Sequence, residues 1–323
     1  MILNRRMLFA AGLAHFMMPV SGAEATGIQA ITGTAFGSTW RAVLPQHSDF
    51  QTARNLILSA IRETDATMSP FRSGSEISRF NDSDSVEWIR VSPATATVVS
   101  AALNTARKTN GAFDPTVGGI VGRYGFGPNR KLGKENYLGI SADRTGLRKS
   151  SSGLTLDLCG IAKGYAVDLI SAGLSGHGLA NHFIEVGGEV RGKGLHPSGR
   201  AWRAGIERPA PGDRSLHCVV ETGSLALATS GDMVNSYVVD GRRYGHIINP
   251  SRGLPVDTRL ASVSVLAGSA MEADAMATGL YALGSEAGPD CAAALGMDAL
   301  FLVRDGAGFR EIMTGKFASY VLR

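Results

Sequence analysis

The sequence predicts one mixed α/β (α+β) domain over residues 26–323, with mixed sheets and packed helices. Three observations predict it. Four segments read as helices, strand-like apolar runs lie between them, and 41 glycines supply tight turns to join the two. The chain has 323 residues, 44% hydrophobic and 19% charged, enough to bury an ordinary core and unlike a disordered chain. No internal repeat or low-complexity linker divides it.

The first element is a leader. Asn4-Arg5-Arg6 precedes an apolar run from Met7 to Val20, and the small residues Ser21-Gly22-Ala23-Glu24-Ala25 follow. These are the charged, apolar and cleavage regions of a secretory signal peptide over residues 1–25, with cleavage after Ala23 or Ala25. The arginine pair before Met7-Leu8-Phe9 resembles a twin-arginine signal, which exports folded proteins. The expected location is therefore the periplasm. No other segment is apolar for long enough to span a bilayer, so no stable membrane insertion is expected.

Four helices follow, the first by period. Phe50 to Thr64 places Phe50, Ala53, Leu56, Ile57, Ala60 and Ile61 on one face. Ser92-Pro93 opens a second, through Val98, Ala102 and Ala106, that stops at Asn110-Gly111. Gly164 to Leu174 and Ser269 to Leu283 are the third and fourth. Strands are expected at Phe183 to Val186, around Val190, at Cys218 to Glu221 and at Ser262 to Leu266. Cys159, Cys218 and Cys291 are too few and too scattered for a disulfide framework or a CxxC metal site. They read as buried small hydrophobes, with room for one disulfide in an oxidising compartment. The net charge of +4 is spread along the chain without a basic block, so nucleic acid is not an expected partner.

Four segments carry chemistry, and each has a purely structural reading beside it. Leu156 to Asp168 reads as a short strand bearing Asp157, a glycine turn at Gly160, and a helix start with Lys163. A helix N-terminus with exposed backbone groups suits phosphate oxygens and a cation; it is also how ordinary turns look. Asp274 and Thr278 are four apart on one helix face, a carboxylate and a hydroxyl suited to Mg²⁺, or a cap and a back-bonded threonine. His246, before Ile247-Ile248-Asn249-Pro250, is an imidazole at a strand edge, fit for a base or for a structural hydrogen bond. Ala112-Phe113-Asp114-Pro115 sets an aromatic beside a turn, able to bracket a planar ring or simply to end a helix.

Taken together these segments resemble the ApbE-type FAD:protein FMN transferases over nearly the whole mature chain. The resemblance includes Phe36-Gly37-Ser38-Thr39-Trp40, Met68-Ser69-Pro70-Phe71 and Ser75-Glu76-Ile77-Ser78-Arg79-Phe80-Asn81. It continues through Gly111 to Pro115, Leu156 to Asp168 and Glu185 to Val190. Ala228-Thr229-Ser230-Gly231-Asp232, His246 to Pro255 and Ala273 to Thr278 complete it in the same order. The family implies a single-domain flavin transferase fold and Mg²⁺-dependent transfer of the FMN half of FAD to a Ser or Thr hydroxyl, with AMP released. Position by position it implies Mg²⁺ ligands at the Gly160 carbonyl, Asp274 and Thr278. It implies FAD contacts at Phe36, Phe71, Ala112, Phe113, Asp114, Asp157, Lys163 and Ile248. His246 and Asp232 match a polar pair near the transferred phosphate, with His246 as the base and Asp232 as the alternative.

Family acceptors carry an Asp-x-x-Ser/Thr-Gly-Ala-Thr motif, which this chain lacks, so the acceptor is another protein, a periplasmic or membrane redox protein. In length and signal the chain resembles the NosX-type maturation factors of nitrous oxide respiration, whose acceptor would be the membrane regulator of that pathway. Several positions depart from the family pattern: Phe36 for Met, Phe71 for Tyr, Cys159 for Gly, and Asn249 for Asp. Two rival readings share the motifs, a non-enzymatic FAD-binding or electron-donating factor and an FAD pyrophosphatase. The absence of GxGxxG and of HExxH disfavours a nicotinamide dehydrogenase and a zinc hydrolase.

Overall fold

A two-residue turn sets the first pairing. In the computed structural model, which describes residues 27–322 apart from 130, 132–136, 211, 213–214, 234, 241, 257–258 and 307, strands β1 (Ile28–Ala35) and β2 (Ser38–Pro45) form a hairpin. Phe36 and Gly37 at its tip are both left-handed, with φ of 52° and 74°, the geometry that matches strand twist in a tight hairpin. The signal-like segment and its two expected cleavage points lie outside the described residues.

α1 (Phe50–Met68) follows, capped by the Asp49 carboxylate on the Thr52 N–H. Next come α2 (Glu76–Asp82), β3 (Ile89–Arg90), α3 (Pro93–Lys108), α4 (Gly118–Arg123), β4 (Ile140–Ala142) and β5 (Gly146–Lys149). α5 (Ala162–Gly176) leads into β6 (His182–Val186), β7 (Glu189–Lys193), β8 (Arg203–Glu207), β9 (Leu216–Glu221) and β10 (Ala226–Gly231). Two small hairpins, β11 (Ser236–Val239) with β12 (Arg242–Gly245) and β13 (Ile248–Asn249) with β14 (Leu254–Pro255), precede β15 (Leu260–Ala267). The chain ends with α6 (Ala270–Ala294), β16 (Asp298–Asp305), β17 (Gly308–Thr314), α7 (Phe317–Tyr320) and β18 (Val321–Leu322).

Eight strands form the main sheet in the order β1-β2-β6-β7-β10-β15-β16-β17, each neighbouring pair antiparallel. Its central strands are buried on both faces, and the side-chain period of two shows the layers. On β16, Ala299, Phe301 and Val303 pack against α6 residues such as Met276 and Leu280, while Leu300 and Leu302 join Ala204, Val220 and Phe317 on the opposite side. α1 and α5 cover β2 and β6 through Ile57, Ile61, Val167 and Ile170. A further core of α2 and α3 residues closes over Leu154, Leu156, Leu158 and Ile161, and reaches Ala275 of α6.

The four expected helices are present with shifted ends, at Phe50–Met68, Pro93–Lys108, Ala162–Gly176 and Ala270–Ala294. The last is broken at Gly284 (φ 87°, ψ −172°), one residue beyond the expected end at Leu283. The expected strand around Leu156 is corrected: residues 154–158 form no regular element and belong to no ladder. Their polar groups turn to tertiary partners instead. The Asn81 amide donates to the Leu156 carbonyl (2.8 Å) and accepts the Leu156 N–H (2.7 Å), and Asp157 N–H donates to the Pro115 carbonyl (2.7 Å). The cysteines are also corrected: all three are free, Cys159 is exposed, and Cys218 and Cys291 are half-buried.

Candidate active site

The N-termini of α5 and α6 meet, and glycine lets them meet. A Cβ on Gly164 would lie 2.2 Å from the Ala270 carbonyl oxygen, so only glycine fits this crossing. The Ile161 side chain gives α5 no cap. That role falls to Asp274 of α6, whose Oδ2 accepts the Gly164 N–H at 3.0 Å. The carboxylate thus sits at the positive end of another helix. Its Oδ1 lies 3.7 Å from Lys163 Nζ, an ion-pair distance longer than a hydrogen bond.

Lys163 is held between two acids. Its ammonium pairs with Glu189 Oε1 at 2.5 Å, and Glu189 is only 2% exposed. Burial alone would lower the Lys163 pKa, but Asp274 and Glu189 outweigh it and raise it. Burial raises both carboxyls in turn, against the pull of Lys163. Two buried carboxyls face a single ammonium, and ionising both in a dry setting is costly, so burial holds a proton on the pair more strongly than in water. Glu189 Oε2 has no hydrogen-bond partner. A cation and a phosphate chain suit this arrangement better than an apolar ligand.

One helical turn beyond Asp274, Thr278 Oγ1 faces Ser230 Oγ of β10 at 3.3 Å. A Cβ on Gly160 would lie 3.1 Å from Thr278 Oγ1 and 3.4 Å from the Phe113 ring. Gly160 is therefore a close neighbour of the hydroxyl, with no room between them for a side chain. The structure brings Gly160, Lys163, Asp274 and Thr278 together, and adds Glu189 and Ser230, which sequence reading did not assign. Both stand inside motif segments, Glu185 to Val190 and Ala228 to Asp232; only their partners were invisible.

The remaining expected residues frame this centre. Phe36 lies half-buried at the β1–β2 tip, and the same tip reaches the centre because a Cβ on Gly187 would touch both Ser38 Cβ (3.6 Å) and Lys163 Cδ (3.3 Å). Phe71 is 61% exposed, an open aromatic surface. Phe113, expected as a ring that brackets a flavin, is 3% exposed and packs beneath Gly160. Ala112 packs partly against the α6 core and Ile248 is buried. Asp114 shapes a turn, accepting from Thr116 N–H (2.8 Å) and Oγ1 (2.7 Å) and from Tyr137 N–H (3.3 Å). Asp157 Oδ1 accepts the Cys159 N–H at 2.9 Å, just before Gly160.

His246 and Asp232, expected as a pair, take different partners. Asp232 is 2% exposed and ion-paired to Arg304 of β16 at 2.8 Å. His246 Nδ1 lies 3.2 Å from the Asn235 carbonyl, and its ring meets Phe126 edge-on at 6.2 Å. A carbonyl only accepts, so Nδ1 carries the proton and Nε2 the lone pair. Burial lowers the His246 pKa despite that bond, with Lys163 adding to the shift. The ring is neutral near pH 7. Asn249 uses its amide to donate to the Ala282 carbonyl of α6 at 3.2 Å, which a carboxylate cannot do.

Among the described residues, no group of three His, Cys, Asp or Glu side chains is placed to hold a metal ion. A Gly160/Asp274/Thr278 donor set has one carboxylate, one hydroxyl and one carbonyl, and so relies on water and substrate oxygens, as Mg²⁺ sites do.

The profile of the ApbE family matches residues 36–301. The chain belongs to the ApbE family. An FAD:protein FMN transferase of Vibrio cholerae is 37% identical over 307 residues, covering 90% of this chain and 92% of the relative. One from Escherichia coli K12 is 30% identical over 334 residues, covering 98% and 95%. Among solved structures, the flavin transferase ApbE from Vibrio cholerae superposes with a TM-score of 0.82 at 36% identity, covering 91% of this chain and 99% of that one. The apo flavinyl transferase ApbE of Pseudomonas stutzeri gives 0.81 at 30% identity, covering 91% and 96%. The α/β architecture is thus that of ApbE flavin transferases. Among the described residues, no helix is long and apolar enough to cross a membrane.

Proposed function

We propose that this ApbE-family chain transfers the FMN half of FAD to a Ser or Thr hydroxyl of an acceptor protein, with Mg²⁺ held by the Gly160 carbonyl, Asp274 and Thr278. The observation that carries this reading is the convergence of Gly160, Lys163, Asp274 and Thr278 where the N-termini of α5 and α6 meet. The hydroxyl oxygen attacks the flavin-side phosphorus. A new O–P bond forms, the bridging P–O bond breaks, and its electron pair leaves on AMP.

When bound, Mg²⁺ supplies positive charge against the phosphate oxygens. Lys163, kept protonated by its two carboxylates, adds a second fixed charge to the same chain. His246 Nε2 takes the hydroxyl proton, since Nδ1 is engaged with Asn235 and the ring is neutral. Asp232 is the weaker base, because Arg304 already stabilises its ionised form. The exposed Phe71 ring stacks on the flavin.

The leader at residues 1–25 supports export to the periplasm, where the acceptor is a soluble or membrane-attached redox protein. The regulator of nitrous oxide respiration is one acceptor that the chain's length and signal suggest. The test uses mature protein, FAD, Mg²⁺ and a purified acceptor domain with the Ser/Thr motif, read by intact mass. A gain of FMN less water, lost in Asp274→Ala, supports the transferase. Bound but intact FAD without a gain points to a carrier, and AMP with free FMN to a pyrophosphatase.

A further inference from the structure

We infer that Asp168 and Arg191 are positioning residues that set the axial rotation of α6, and with it the aim of Asp274 and Thr278. This rests on the metal reading above. The two helices cap each other. Asp274 of α6 accepts from the first turn of α5, and Asp168 of α5 accepts from the first turn of α6: Oδ1 from Ala270 N–H at 3.0 Å and Oδ2 from Met271 N–H at 2.9 Å. Ser269 Oγ takes the next N–H, that of Glu272, at 3.1 Å. The free donors that open a helix are thereby fixed in direction, not left to water.

Arg191 of β7 completes the grip. It is ion-paired to Asp168 Oδ1 and donates to the Gly268 carbonyl at 3.2 Å, on the chain just before α6. The main sheet is thus tied to both the capping carboxylate and the incoming strand end. Asp274 lies about one turn beyond the gripped residues and Thr278 about two turns, so a small rotation at Ala270 swings both donors together. Neither Asp168 nor Arg191 touches Lys163 or Thr278 in the contacts described. Their effect on the centre passes through the helix.

Asparagine at 168 separates this role from bulk. It keeps the shape, but its Nδ2 is a donor and would face a helix N–H, so one of the two capping bonds is lost. The experiment titrates Mn²⁺ by EPR into the mature protein with FAD present. It compares the parent with Asp168→Asn, Arg191→Lys, Arg191→Met and Asp274→Ala, and follows each by calorimetric melting.

The parent should bind Mn²⁺ and Asp274→Ala should not. Asp168→Asn and Arg191→Met should bind about tenfold more weakly or worse, in the range seen when the groups that orient metal ligands are removed. The Mg²⁺ concentration for half-maximal transfer should rise by the same factor, and Arg191→Lys should recover most of the affinity. If the parent binds no Mn²⁺, the metal reading fails and this inference falls with it. If the parent binds and Asp168→Asn binds equally well, the positioning role is refuted while the metal site stands. If Asp168→Asn does not fold, the Arg191 pair decides: equal affinities for Lys and Met overturn the inference.

Discussion

Gly164→Ala strikes the point where α5 crosses α6. The added Cβ would sit 2.2 Å from the Ala270 carbonyl oxygen, 2.5 Å from its carbon and 2.8 Å from Met271 Cα. Ordinary contact begins at 3.4 Å, so the helices are about 1.2 Å too close, and the obstacle is backbone that no rotamer relieves. Overpacking of this kind costs about 1–3 kcal/mol. Separating the helices also stretches the Gly164–Asp274 bond, and a hydrogen bond to a charged group contributes about 1.5–3 kcal/mol. A combined loss of about 3 kcal/mol, at about 2 °C per kcal/mol in a chain this long, lowers the melting temperature by about 6 °C. Gly176→Ala is the control, since a Cβ there meets nothing within 4 Å. It should leave the melt unchanged or raise it slightly, because alanine favours helix by up to about 1 kcal/mol. Calorimetry gives the melts, and Mn²⁺ titration reads the second effect, weaker metal binding in Gly164→Ala alone. A Gly164→Ala protein that melts with the parent and binds Mn²⁺ equally well would refute the close-contact argument.

Phe71→Ala should weaken FAD roughly threefold to tenfold, the span of a lost aromatic stack, without moving the melt of a ring that is 61% exposed; fluorescence titration decides. Arg304→Met leaves the Asp232 carboxylate buried without its partner, and should cost about 3 kcal/mol in urea unfolding, part of which Asp232→Leu in the same chain restores. His182 is buried, with its ring bonded to Ser171 (2.8 Å) and to the Leu179 carbonyl (2.7 Å), and burial lowers its pKa below the ordinary 6.5. The unfolded chain then takes up a proton that the folded chain refuses, so stability holds above pH 6.5 and falls as pH drops through and below it. His182→Asn should flatten that slope, and an unchanged slope removes His182 as its source.

The helices and the motif order were legible because they are local. α1 and α3 carry their own caps, Asp49 and Ser92, and α6 opens after Ser269. What escaped was set by partners far along the chain. Residues 154–158 have the apolar pattern of a strand, yet Asn81 takes both backbone groups of Leu156 from 75 residues away. Phe113 reads as a ring beside a turn, and its place beneath the Gly160 turn, 47 positions further along the chain, has no local sign. The motif held Glu189 and Asp168 in plain view, and neither the Lys163 pairing nor the reciprocal helix caps has any local signature. Asn249 looked like a lost charge until its amide met Ala282.

The reciprocal caps join stretches of chain that are very far apart: 110 residues separate Gly164 from Asp274, and 102 separate Asp168 from Ala270. No short fragment can display the centre, and a chain still emerging from synthesis lacks it until α6 arrives. Non-local closure of this kind is slow to form, because the intervening loop must be ordered before the contact rewards it. A ligand that recognises the assembled centre therefore binds only the finished fold, and draws the whole folding equilibrium toward it by about 2.7 kcal/mol at a hundred times its Kd. Occupancy and folding become one equilibrium, so a melting curve doubles as a binding assay.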